Sequence, residues 1–92
     1  MEIERLIWLR RNVAKLAEHG IGERDIDDLI GTDSYTVTVH PDYPDQVRVI
    51  GQTRNGRFLT LVLEATDTLG VWRPVTGWET TATEEAYWQE NK

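Results

Sequence analysis

The side chains in this sequence best equipped for chemistry are arginines. Arg54 and Arg57 flank Asn55-Gly56, and Arg73 follows Trp72 in a stretch that also carries Trp78. A guanidinium is a planar fork of donors that matches phosphate or carboxylate and stabilises charge developing on either. His19, followed by Gly20, has a side chain that can move protons near neutrality. A histidine at a helix end can instead satisfy a terminal carbonyl, and both readings stand. Other chemistries are poorly served. Ser34 is the one serine and sits in a polar turn with no triad pattern. His40 and Asp42 make a thin ligand set in a chain with two histidines and no cysteine, so no metal is expected. Gly20 and Gly22 lack both the preceding strand and the third glycine of a dinucleotide fingerprint, and no cofactor is expected.

The elements that must position the arginines lie between Val47 and Thr81. Three runs there, Val47–Gln52, Phe58–Leu63 and Val71–Trp78, are rich in β-branched and aromatic residues and read as strands. Asn55-Gly56 between the first two predicts a type I′ hairpin turn, which needs two positive-φ residues. Ala65–Leu69 predicts a looser loop before Gly70. In the central run Leu59, Leu61 and Leu63 alternate with Phe58, Thr60 and Val62. The leucine face should lie against helices, and the mixed face should be partly open. Pro74 cannot donate to a ladder, which places the last run at an edge or a bulge.

The rest of the chain supplies the helices. Ile3, Leu6, Leu9, Val13, Leu16 and Ala17 recur at helical spacing and predict a helix over residues 2–18, ended by Gly20. Arg10, Arg11 and Lys15 lie off that stripe. Glu23–Ile30 predicts a second helix stopped by Gly31, with Ile26, Leu29 and Ile30 inward and acids in its first turn. Tyr35–His40 alternates as the first strand, paired with Val47–Gln52, and Pro41–Asp45 is a rigid turn. Thr81 to Glu84 has capping-box spacing and opens a last helix to about Glu90, with Ala86, Tyr87 and Trp88 available for packing. The expected fold is α+β: two N-terminal helices, a four-stranded antiparallel sheet and a C-terminal helix, in one domain over residues 1–92.

Composition narrows the function. Ninety-two residues support a small core, and the absence of cysteine fits a reducing cytoplasm. No apolar run has membrane-spanning length, and charges interrupt any signal-like start, so a soluble cytoplasmic protein is expected. The net charge of −6 argues against a general nucleic-acid coat. Residues 1–17 and 46–76 each carry four basic against two acidic side chains, whereas 18–45 carry one against eight. The positive charge thus belongs to the first helix and the sheet.

Several short motifs resemble the BrnT family of bacterial type II toxin–antitoxin systems, whose fold is like that of the RelE ribonuclease toxins. They are Lys15-Leu-Ala-Glu-His19-Gly20-Ile21, Ile50-Gly51-Gln-Thr53, Gly56-Arg57-Phe-Leu59, and Arg73-Pro-Val-Thr76 leading into Thr81–Tyr87. They run in matching order over nearly the whole chain. The resemblance implies ribosome-independent RNA cleavage and a partner antitoxin encoded alongside. It matches His19 to the family's helix-ending His-Gly, Arg57 to the arginine opening the central strand and Arg73 to the arginine within the last strand, and makes them the candidate catalytic residues. His19 would move protons, Arg57 and Arg73 would stabilise phosphate charge, and the RNA 2′-OH would attack. Lys15, Arg48 and Arg54 would contact substrate, and Trp72 or Trp78 would stack a base. The pattern departs from the family at Gly77-Trp78-Glu79-Thr80-Thr81, where such toxins usually carry further basic residues. The alternative is a catalytically silent BrnT-like module that binds a protein through its tryptophan-rich sheet and last helix.

Overall fold

Strand-forming runs and apolar stripes condense into one sheet with helices on both faces in the computed structural model, which describes residues 3–32 and 34–91. The strands are β1 (Arg5–Leu6), β2 (Thr36–Val39), β3 (Gln46–Gln52), β4 (Phe58–Ala65) and β5 (Val71–Glu79). The helices are α1 (Arg10–Glu18), α2 (Glu23–Thr32) and α3 (Ala82–Asn91). Across the sheet the order is β1-β5-β4-β3-β2. β2 to β5 run antiparallel, as expected, and β1 joins β5 in parallel.

The leucine alternation in β4 decides where the core sits. Leu59, Leu61 and Leu63 are fully buried beside Val47 and Val49 of β3, under Leu16 of α1 and Ile26 and Leu29 of α2. Burial of each such side chain contributes about 1.5–3 kcal/mol. The opposite face, expected to be partly open, is covered where it carries Thr60 and Val62, both buried. α3 does this: Trp88 meets Phe58 edge-on with ring centroids 4.8 Å apart. Of the three residues offered for packing on this helix, Trp88 is buried, while Ala86 and Tyr87 are exposed.

The expected helix over residues 2–18 forms only from Arg10; its first residue, Glu2, lies outside the described residues. The segment before it is extended because β5 offers an unpaired edge. Glu4 N–H donates to Gly70 O at 2.8 Å and Ile7 N–H to Trp72 O at 2.8 Å. Ile3 and Leu6 still pack on the core, so the apolar pattern is satisfied by a strand as well as by a helix. This fifth strand corrects the four-stranded expectation. β5 behaves as Pro74 requires: β1 reaches only Val71 and Trp72, and the register with β4 slips at Val75, leaving a bulge beside the proline.

Two turns differ from their expected form. In the β3–β4 hairpin Gly56 N–H donates to Thr53 O at 3.0 Å, which makes Arg54 and Asn55 the central pair of the turn. Gly56 then takes φ +91°, and Thr53 N–H closes the loop on Arg57 O at 2.8 Å. This is the turn-plus-glycine-bulge hairpin rather than the two-residue type I′ form. α2 runs through Gly31 to Thr32, whose hydroxyl donates to Leu29 O at 2.7 Å. The capping box holds as expected. Thr81 N–H donates to Glu84 Oε1 at 2.9 Å, and Glu84 N–H to Thr81 Oγ1 at 3.3 Å.

Candidate functional site

The candidate site is built where the hairpin meets the ends of two helices. α1 finishes in a Schellman turn: Ile21 N–H returns to Leu16 O at 3.0 Å, Gly20 N–H to Ala17 O at 2.9 Å, and Gly20 takes φ +73°. His19 is the exposed C-cap residue, and Lys15 lies in the same last turn. Arg57, leaving the hairpin turn, brings Nη2 within 3.5 Å of where a Gly20 Cβ would stand. The fold therefore places the His19–Gly20 corner against Arg57. A helix C-terminus carries partial negative charge and favours a cation there.

Carboxylates occupy that cation's donors. Arg57 Nε and Nη2 both donate to Glu79 Oε1, at 3.1 and 2.8 Å, and Nη1 donates to Asp25 Oδ2 at 3.1 Å. The neighbouring Arg54 pairs its Nε with Asp28 Oδ1 at 3.4 Å, and its N–H donates to Asp28 Oδ2 at 2.8 Å. Asp25 and Asp28 are one helical turn apart on α2 and meet two arginines three residues apart on the hairpin. The single Arg57 guanidinium is thus shared between two carboxylates and a helix C-terminus, which compete with any phosphate for its donors.

Arg73 lies elsewhere. It is opposite Glu64 in the β4–β5 register, and its Nε and Nη2 both reach Glu64 Oε1 at 3.1 Å. Six residues of β4 separate Phe58 from Glu64, about 20 Å along a strand. Glu64 also alternates with Leu63, so this pair is on the α3 face, whereas Arg57 faces α2. Arg57 and Arg73, both matched by the resemblance to a role on phosphate, do not share one groove, because antiparallel register puts them at opposite ends of the sheet.

The remaining candidates are divided by the same alternation. Trp72 is half-buried against the leucine core. Trp78 faces α3 and donates Nε1 to Glu84 at 3.0 and 3.2 Å to the two oxygens. Arg48 is also on the α3 face; its Nη1 stands 3.9 Å from Glu84 Oε2, and its buried Nε has no hydrogen-bond partner. Glu84 additionally accepts from Thr60 Oγ1 at 3.0 Å. Burial alone would raise its pKa, but the bonds from Thr81, Trp78 and Thr60 outweigh burial and hold the carboxyl below its ordinary range.

The five acids that complete these pairs, Asp25, Asp28, Glu64, Glu79 and Glu84, were not among the sequence candidates. Glu79 stood out as an acid where the resembled family carries basic residues, Glu84 by its capping-box spacing, and Asp25/Asp28 by a three-residue spacing matched in Arg54/Arg57; Glu64 carried no such signal. Among the described residues no group of three or more His, Asp or Glu is arranged to hold a metal ion, and no helix is long and apolar enough to cross a membrane.

A mixed sheet with α1 and α2 on its leucine face and α3 on the other is the BrnT-like ribonuclease-toxin fold. The chain superposes on the crystal structure of the Brucella abortus ribonuclease toxin BrnT with a TM-score of 0.62, over 84% of this chain and 96% of that one. The two sequences are 15% identical, so the likeness is one of fold. No protein-family model and no curated protein matches the chain.

Proposed function

We propose that this chain is a toxin-fold component of a type II toxin–antitoxin pair that acts by binding a protein partner, with its ribonuclease corner silent. One observation carries the reading: both donor edges of Arg57 are taken, by Glu79 and by Asp25. Stabilising a cleaved phosphate needs a guanidinium aimed at the developing charge, and removal of one such donor typically costs about 100- to 1,000-fold in rate. Here the donor is present and spoken for. The acidic balance of the chain works in the same direction.

A second reading, an active endoribonuclease, is favoured by a separate observation. The His19–Gly20 corner lies against Arg57, and the Glu79 side chain is 63% exposed, so one rotation of it into water frees the Nε–Nη2 edge. His19 would then serve as acid or base beside a guanidinium. Induced expression in bacteria, followed by growth and total-RNA integrity, separates the readings. The silent reading expects wild-type protein to leave both unchanged and a co-expressed neighbouring gene product to co-purify with it. RNA degradation by the wild type, abolished by Arg57→Ala, would establish the second reading and sink the first. Degradation only in Glu79→Ala would show a catalytic corner that this one carboxylate keeps closed.

A further inference from the structure

The two edges of the sheet are treated differently. At one edge β5 carries Pro74, a bulge at Val75 and the short cover of β1. At the other, β2 reads Thr36-Val37-Thr38-Val39, with neither a charge nor a proline, and among the described residues no strand lies beyond it. Sheets normally protect an exposed edge with lysine, proline or a bulge, because unpaired backbone groups are a template for another strand. The phase of the ladder identifies those groups. His40 N–H donates to Gln46 O at 3.1 Å, and bonded and unbonded pairs alternate along antiparallel strands. Thr36 and Thr38 therefore bond inward to β3, and the N–H and C=O of Val37 and Val39 point away from the sheet. The Val39 side chain is 67% exposed, and Tyr43, just beyond, is 57% exposed.

We infer that β2 is a docking edge for an extended, basic segment of a partner protein, which adds as a sixth strand. This rests on the partner-binding reading above and gives that partner a place and a chemistry. Charge complementarity decides the occupant. β2 itself carries no charge, and the acids exposed just past its end are Asp42 and Asp45. Lysines and arginines alternating with apolar residues would pair with Asp42 and Asp45, whereas the uncharged Thr36–Val39 strand of a second copy would offer them no cation. Main-chain bonds to Val37 and Val39 supply affinity, and side chains on alternate positions supply selectivity. On the α3 face, beside Thr38, a cavity of about 180 Å³ with Ile50 and Tyr87 in its lining has room for one apolar side chain of the added strand.

The test uses the full chain and two labelled heptapeptides, valine alternating with lysine in one and with glutamate in the other, read by fluorescence anisotropy. The lysine peptide should bind, more weakly as salt rises, and the glutamate peptide should not. Val37→Pro removes an outward N–H and no ladder bond, so it should keep the circular dichroism of the wild type and weaken the lysine peptide at least tenfold. Val39→Pro does the same one pair along, should Val37→Pro disturb the fold. Equal binding of both peptides, no binding of the lysine peptide, or full binding by both proline variants would overturn the inference. So would a dimer in sedimentation velocity that Val37→Pro dissolves, which would make the occupant a second copy. A natural partner that co-purifies equally well with Val37→Pro would leave the partner reading standing and remove the edge from it. RNA cleavage by the wild type would remove the silent reading and leave the peptide result untouched.

Discussion

The two faces of the sheet are covered by different means. On the α1/α2 face, Leu59, Leu61 and Leu63 interlock with Leu16, Ile26 and Leu29, and at the rim Arg54 and Arg57 clamp α2. On the other face α3 is seated by one carboxylate, Glu84, which gathers Thr81, Trp78 and Thr60, and by the Trp88–Phe58 contact. Apolar packing is non-directional and tolerates modest change, whereas a carboxylate hub fails when its charge or geometry is lost. The first face should therefore dominate stability at every pH, and the second should carry the pH dependence. The arginines are spread over both faces, which is why they make two local clamps and no continuous cationic surface.

Four variants test that contrast, beginning with the largest effect. Leu61→Ala removes a fully buried side chain from the centre of the first face and should destabilise by roughly 2–5 kcal/mol in urea unfolding. A loss below about 1 kcal/mol would mean that the leucine face is not the main support. Next, Arg57→Ala breaks the clamp between the hairpin and α2 and leaves Asp25 and Glu79 without their shared cation. It should cost about 1–2 kcal/mol, while Arg73→Ala, which removes only the pair with Glu64, should cost less than about 1 kcal/mol. Equal losses from the two would show that Arg57 is an ordinary surface charge.

A modest change at neutral pH is expected from Glu84→Gln, about 1 kcal/mol for a weakened capping box. Its signature is the pH profile. Folding lowers the Glu84 pKa from its ordinary value of 4.5, so the carboxylate contributes fully above that value and progressively less as pH falls through the depressed folded value. Urea midpoints should therefore drop on acidification more steeply for the wild type than for Glu84→Gln. Parallel profiles would transfer the acid sensitivity of the domain from the α3 face to other carboxylates.

Much of the framework was legible before any coordinates. The leucine alternation, the Gly20 stop, the Thr81–Glu84 capping box, the β2–β3 pairing and the awkwardness of Pro74 are all local consequences of side-chain chemistry, and each holds in the structure. Separately, the short motifs resemble the BrnT family, and the fold agrees with that resemblance. The expected helix over residues 2–18 failed at its start for an identifiable reason. Ile3 and Leu6 suit either geometry, and an open edge on β5, nearly seventy residues away in the chain, offers the backbone bonds that select a strand.

The candidate site shows the same division more sharply. From sequence alone, the residue types in play were settled: guanidinium groups near a tight hairpin, a histidine ending a helix, and a glutamate where a basic residue was expected. The chain by itself also determined that no thiol is available. Only the tertiary structure decided which charges meet. It brought His19–Gly20 to Arg57, sent Arg73 to the far end of the sheet, and put Asp25 and Glu79 on the donors that a phosphate would need. The physical reason is one of range. Propensity, periodicity and capping act over a few residues, whereas a guanidinium's electrostatic environment depends on every charge within several ångströms, and here those charges come from residues 22 and 32 positions away.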